Sequence, residues 1–164
     1  MAFFAVFFVV IGQVECCSQR GVEDVESLIL VRVSHVRRVE SNAFQSCFQL
    51  VRVNLEDSVV RICKHAFEDC HALEDLVLPA SLTVVGKKAF RRCVSLLKVR
   101  FPESIREIGE SSFAGCERLQ QVEVPARERR IVDICPKAFE RCTALTQVLM
   151  PKTGVYVHEA ARVS

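Results

Sequence analysis

The sequence predicts an α/β solenoid of stacked short repeats, and three observations carry that prediction. Phe44, Phe67, Phe90, Phe113 and Phe139 recur at intervals of 23, 23, 23 and 26 residues. Each is followed three residues later by a cysteine (Cys47, Cys70, Cys93, Cys116, Cys142) and six residues later by a leucine (Leu50, Leu73, Leu96, Leu119, Leu145). The apolar spacing also changes character inside every unit. A period of this length marks an array whose units bury their apolar faces only by stacking on one another.

The amino terminus comes first. Ala2 to Ile11 is an unbroken apolar run of ten residues. That is too short to cross a bilayer, which takes roughly 20 residues. Its length suits the apolar region of a secretory leader, with Gly12 as a small residue at the cleavage site. No Lys or Arg precedes Arg20, so the charged start of such a leader is missing. A mis-started or truncated frame, or a buried capping strand, are the other readings. The expected organisation is a leader over residues 1–14, a cap or degenerate repeat over 15–35, five repeats over 36–151, and an incomplete repeat or truncated cap over 152–164.

Within a repeat, each Phe serves as position zero. Eight residues before it stand Val36, Val59, Leu82, Ile105 and Ile131, and five before it Val39, Ile62, Val85, Ile108 and Ile134. Immediately before it come Ala43, Ala66, Ala89, Ser112 and Ala138. Nine after it stand Val53, Leu76, Val99, Val122 and Val148, and eleven after it Leu55, Leu78, Phe101, Val124 and Met150. Up to the leucine, the apolar steps of 3, 4, 1, 3 and 3 approach the helical period. The last step, from nine to eleven, is the strand period of 2. Each unit therefore predicts a short helical or 3₁₀ turn on one wall and a short parallel strand on the other. Pro79, Pro102, Pro125 and Pro151 follow the strands and end them by removing a backbone donor.

The runs "VGKKAFRRCVSLLKVRFPESI" and "IGESSFAGCERLQQVEVP" resemble the BspA-type leucine-rich repeat over about residues 36–151. The resemblance implies a curved solenoid with a parallel sheet on its concave side. It also implies a surface or secreted adhesion protein that binds a host or matrix protein. Departures from the pattern are Glu40, Cys63 and Cys135 where Gly86 and Gly109 stand in other units, and an insertion within Arg127 to Arg130. Leu28, Val31 and Val33 read as the strand of an earlier unit shifted by one residue. Val157 and Ala161 open a further unit in which Arg162 replaces the Phe.

Composition narrows the function. A net charge of +2 provides no global field for nucleic acid or an anionic membrane. With no Trp and only Tyr156, a stacking platform for bases is not expected. Of nine cysteines, five belong to the repeat and read as free buried thiols; Cys16 and Cys17 lie ahead of it and remain open to disulfide formation. Cys63, His65, Cys70 and His71 carry metal-ligand types, but Cys70 is assigned inward and both histidines outward, so convergence on a metal is not expected. No cofactor is expected either. "LMPKTG" at Leu149 to Gly154 is like a sorting signal without the apolar span that must follow one. Lys87, Lys88, Arg91, Arg92, Lys98 and Arg100 form a basic cluster. It reads either as a sulfated-glycan site or as a set of charges compensated by Glu68, Asp69, Glu103, Glu107 and Glu110 in neighbouring units.

No nucleophile elbow, phosphate loop or metalloprotease motif occurs. Glu74 and Asp75, adjacent on a strand, face opposite sides and cannot pair for acid–base work. An enzyme is therefore not expected. The expected function is protein binding at the cell surface or outside the cell, through the outward strand positions Arg52, Asn54, Asp75, Val77, Lys98, Arg100, Gln121, Glu123, Gln147 and Leu149. The alternative is a cytoplasmic repeat scaffold, in which free thiols fit equally well.

Overall fold

The computed structural model describes residues 9–11, 30–125, 131–151 and 155–158. Most of the leader expected over 1–14, Cys16, Cys17, Leu28, the insertion within Arg127 to Arg130, Lys152 to Gly154, and the Ala161–Arg162 end of the last unit lie outside the described residues.

From residue 30 onward each coil contributes two strands. The longer series is β1 (Val9–Ile11), β2 (Leu30–Val33), β4 (Arg52–Leu55), β6 (Asp75–Val77), β8 (Lys98–Arg100), β10 (Gln121–Glu123) and β12 (Gln147–Leu149). The shorter series is β3 (Arg38–Val39), β5 (Arg61–Ile62), β7 (Val84–Val85), β9 (Glu107–Ile108), β11 (Val132–Ile134) and β13 (Val155–Val157). The shorter series forms one six-stranded parallel sheet running from β3 to β13. The longer series forms two sheets, β1-β2-β4-β6 and β8-β10-β12, with no ladder between β6 and β8. In β2, Val31 and Val33 pair with Val53 and Leu55. Val157 pairs with Ile134, so it holds the Ile position of a sixth coil.

Between the two walls runs a column of stacked rings. Phe44, Phe67, Phe90, Phe113 and Phe139 lie face to face at centroid separations of 5.1, 5.2, 5.2 and 5.6 Å, with planes within 12° of parallel. The one-coil rise of a parallel ladder, about 4.8 Å, places identical residues at the distance where offset aromatic stacking is favourable. Beside the rings, Ala66, Ala89, Ser112 and Ala138 are fully buried, which is why that position is small.

One expectation fails. The second wall is not helical: among the described residues it consists of two- or three-residue strands followed by tight turns, and no helix forms. In every coil the residues two before and two after the Phe have left-handed backbone. They are Asn42 and Ser46, His65 and Asp69, Lys88 and Arg92, Ser111 and Gly115, and Lys137 and Arg141. A left-handed residue ends a right-handed helix at once. The amides then alternate between two destinations. Ala89 N–H donates to Gly86 O and Arg91 N–H to Lys88 O within the coil, whereas Phe90 N–H donates to Ser112 O and Arg92 N–H to Ala114 O in the next. The three-residue steps in the sequence are those of i→i+3 turns, which share that spacing with the 3₁₀ helix.

Two core assignments also change. Ile131 is 68% exposed, and Val132 and Ile134 are buried instead, because β11 alternates inward at those two residues. Val148 is 45% exposed, since β12 is the terminal strand of its sheet.

Candidate functional site

The outward positions of the longer strands alternate with buried ones, as in β4, where Arg52 and Asn54 are exposed and Val53 and Leu55 buried. Parallel in-register pairing therefore sets the ten singled-out side chains in two rows. One runs Arg52, Asp75, Lys98, Gln121, Gln147, and the other Asn54, Val77, Arg100, Glu123, Leu149. Several of these neighbours neutralise each other. Arg52 pairs with Asp75 at 3.4 Å and Arg100 with Glu123 at 3.0 Å. Lys98 is the charged member of the ten without an ion pair among the described residues. Val77 and Leu149 are large apolar side chains left in the open, at 60% and 52% exposure.

The rows are interrupted between β6 and β8. At other junctions the later coil donates back, from Asp75 N–H to Val51 O and from Gln121 N–H to Leu97 O. The earlier coil donates forward, from Phe101 N–H to Glu123 O and from Val124 N–H to Leu149 O. The counterparts at the junction would be Lys98 N–H to Glu74 O and Leu78 N–H to Arg100 O, and neither is made among the described residues. A cleft of about 450 Å³ lies there, lined by the apolar Leu76, Val77, Leu78 and Leu97 and by the charged Glu74, Asp75, Lys98 and Arg100. Sequence reasoning missed Leu97, 37% exposed; Leu76, read as core, packs against it while half-buried. The available signal was size. Leu76 stands where other coils have Val, and Phe101 where they have Leu, Val or Met. The Phe101 ring packs edge-on against Phe113, 5.7 Å away.

The basic cluster on the turn wall is compensated one coil away on each side. Arg91 meets the buried Glu68 at 3.1 Å, Arg92 meets Asp69 at 3.2 Å, and Lys87 meets Glu110 at 2.8 Å. The hydrogen bond from Lys87 holds the Glu110 carboxyl below its usual range. The metal-type residues do not converge. His65 Nδ1 lies 2.6 Å from Glu68, the His71 ring sits tilted against Phe48 and faces Asp69, and Cys70 Sγ donates to Phe44 O. Both histidines are half-buried, not outward as the sequence implied. No helix among the described residues is long and apolar enough to cross a membrane.

The comparisons agree with this architecture. A leucine-rich cell surface protein from Faecalibacterium prausnitzii is 36% identical and superposes with a TM-score of 0.67 over 74% of this chain and 31% of its own. The leucine-rich-repeat protein of T. pallidum is 28% identical, with a TM-score of 0.54 over 79% of this chain and 73% of its own. A leucine-rich-repeat protein from Bacteroides ovatus, 21% identical, shares the fold over 96% of this chain and 49% of its own, with a TM-score of 0.59. The chain thus spans about a third of the length of the F. prausnitzii protein it matches. No curated protein matches it. Residues 37–161 match the BspA-type leucine-rich-repeat region in six copies, so the chain belongs to the BspA-type leucine-rich-repeat family, a general protein-interaction module.

Proposed function

We infer that the chain is a surface or secreted binding protein that takes a protein ligand on its longer-strand wall. The single observation behind this reading is the contrast between the two sides of those strands. Inward, the core repeats nearly unchanged from coil to coil. Outward, the ten side chains range over Arg, Asn, Asp, Val, Lys, Gln, Glu and Leu on a closely spaced, hydrogen-bonded scaffold. A rigid array loses little entropy on binding, and mixed polarity suits a protein ligand. Export is supported by the apolar run Ala2 to Ile11 and by the likeness to the F. prausnitzii cell surface protein. A sulfated-glycan site on the turn wall is disfavoured by the ion pairs of Lys87, Arg91 and Arg92.

The test compares two charge reversals, Lys98→Glu with Arg100→Glu and Lys87→Glu with Lys88→Glu, against a panel of purified matrix proteins. The strand pair is expected to weaken binding and the turn-wall pair to leave it nearly unchanged. The opposite ranking puts the binding face on the turn wall. Amino-terminal sequencing of the mature protein addresses export: cleavage near residues 12–15 supports it, and an intact Met1 does not.

A further inference from the structure

We propose that the break between β6 and β8 is the anchor point of the binding wall, a pocket for one apolar side chain of an extended ligand segment whose next residue is acidic. The assignment rests on the reading of that wall as the binding face and names what the face recognises.

Three features of the cleft define the occupant. Its lining includes an unusually open apolar part: Val77 and Leu97 are exposed, and Leu76 and Leu78, which pack against the core, are only half-buried where Val53, Leu55, Val99 and Phe101 in the flanking coils are buried. A volume near 450 Å³ accepts a leucine- or phenylalanine-sized side chain with room to spare. A whole strand cannot enter, however. Neighbouring strands lie about 4.7–4.9 Å apart and an inserted one needs twice that, whereas β6 and β8 still run side by side. The occupant is therefore a side chain projecting from a segment that crosses the wall. Anchors of this kind, sunk in an apolar pocket within a polar rim, dominate protein interfaces.

Charge chooses the neighbour. Along the outward rows Arg52 is held by Asp75 and Arg100 by Glu123, which leaves the Lys98 ammonium, on the β8 side, as the charge of these rows without an ion pair among the described residues. Glu74 stands on the β6 side of the same cleft. A carboxylate beside the anchor is attracted to the first side and repelled from the second, so the two together set the direction of the bound segment. Such repulsive elements are what distinguish partners of similar apolar content.

The test uses the full 164-residue chain, labelled with nitrogen-15, and three end-capped octapeptides in a Ser/Gly background whose central pair is Leu-Asp, Leu-Lys or Ala-Asp. Amide shifts are expected at residues 76–78 and 97–100 with the Leu-Asp peptide. Affinity should be at least about tenfold weaker for the other two peptides, and for the Leu-Asp peptide with Leu97→Glu or Lys98→Glu chains that keep the native circular dichroism. Equal response to all three peptides, or no response at the cleft, overturns the proposal. Shifts confined to Arg52, Gln121 and Gln147 would sink the cleft and leave the strand wall as the binding face. Shifts confined to the turn wall would sink both.

Discussion

The thiol of Cys93 donates to the carbonyl oxygen of Phe67 one coil earlier, with Sγ and O 3.3 Å apart. The same bond links Cys70 to Phe44, Cys116 to Phe90 and Cys142 to Phe113. Each of the Phe44, Phe67, Phe90 and Phe113 carbonyls also accepts an amide from the cysteine of its own coil, as Phe67 O does from Cys70 N–H. Cysteine is small enough for the core and still donates a hydrogen bond. The thiol ladder therefore adds a side-chain tie inside the core beside the coil-to-coil backbone bonds of the turn wall, such as Phe90 N–H to Ser112 O.

That geometry predicts graded reactivity. A thiol reagent added to native, reduced protein should label the half-buried Cys63 and Cys135 ahead of Cys93 and Cys116, which are fully buried. Burial pushes the Cys93 and Cys116 thiols far up, so almost no reactive thiolate is present in the fold. Fast native labelling of Cys93 would mean that the thiol ladder is wrong.

The same thiols make stability depend on alkaline pH. Unfolded cysteine ionises near pH 8.5, whereas burial holds Cys142 protonated up to about 12. Between those values the folded state binds more protons than the unfolded one, so stability falls as pH rises. Below the unfolded value the contribution is complete. The loss of denaturant midpoint from about pH 7 to about pH 10 should be smaller in a Cys93→Ala, Cys116→Ala double variant than in the parent. Equal losses would show that the thiols ionise alike in both states.

Ser112 occupies the small-residue column, fully buried, with a hydroxyl that has no hydrogen-bond partner among the described residues. The corresponding residues in the flanking coils are Ala89 and Ala138. Leaving a buried polar group unsatisfied costs about 1–3 kcal/mol, so Ser112→Ala is expected to raise stability by about 1 kcal/mol in chemical denaturation. A loss of stability would reveal a bond to that hydroxyl.

Gly109 stacks on the backbone of the preceding coil, where an added Cβ would lie 2.7 Å from the Gly86 carbonyl carbon and the Val85 oxygen. Neither is a flexible side-chain end that can swing away. Gly109→Ala should cost about 1–3 kcal/mol through forced coil separation. Cys135 already carries a Cβ at the equivalent position, and Cys135→Ala should cost clearly less. Equal costs in urea unfolding would contradict the close approach at Gly109.

The period, the pairing of charges across coils and the inward residues other than Ile131 and Val148 were readable from the sequence, because a 23-residue repeat places identical positions on top of one another. Arg91 meets Glu68 for that reason. The turn wall was not readable. Its left-handed positions are filled by His65, Lys88 and Arg92 as well as Gly115, so the glycine signature of such turns is missing and three-residue steps pass for helix. The cleft was hidden for a different cause. The expected cause is the summed bulk of Leu76 in one coil and Phe101 in the next, and a repeat alignment treats both as ordinary apolar residues.

That cause can be tested directly. With Leu78 and Lys98 amides unpaired across the break, their hydrogen exchange should run at least about tenfold faster than that of Phe101 and Gln121, whose amides are bonded to Glu123 and Leu97. Phe101→Leu restores the ordinary side chain at that position and removes the ring that packs edge-on against Phe113. If bulk holds the coils apart, exchange at Leu78 and Lys98 slows in this variant while Phe101→Tyr, equally large, leaves it fast. Leu76→Val should act in the same direction, since it restores the valine of the other coils at the facing position. Rapid exchange that survives both Phe101→Leu and Leu76→Val would show that side-chain volume is not what opens the wall.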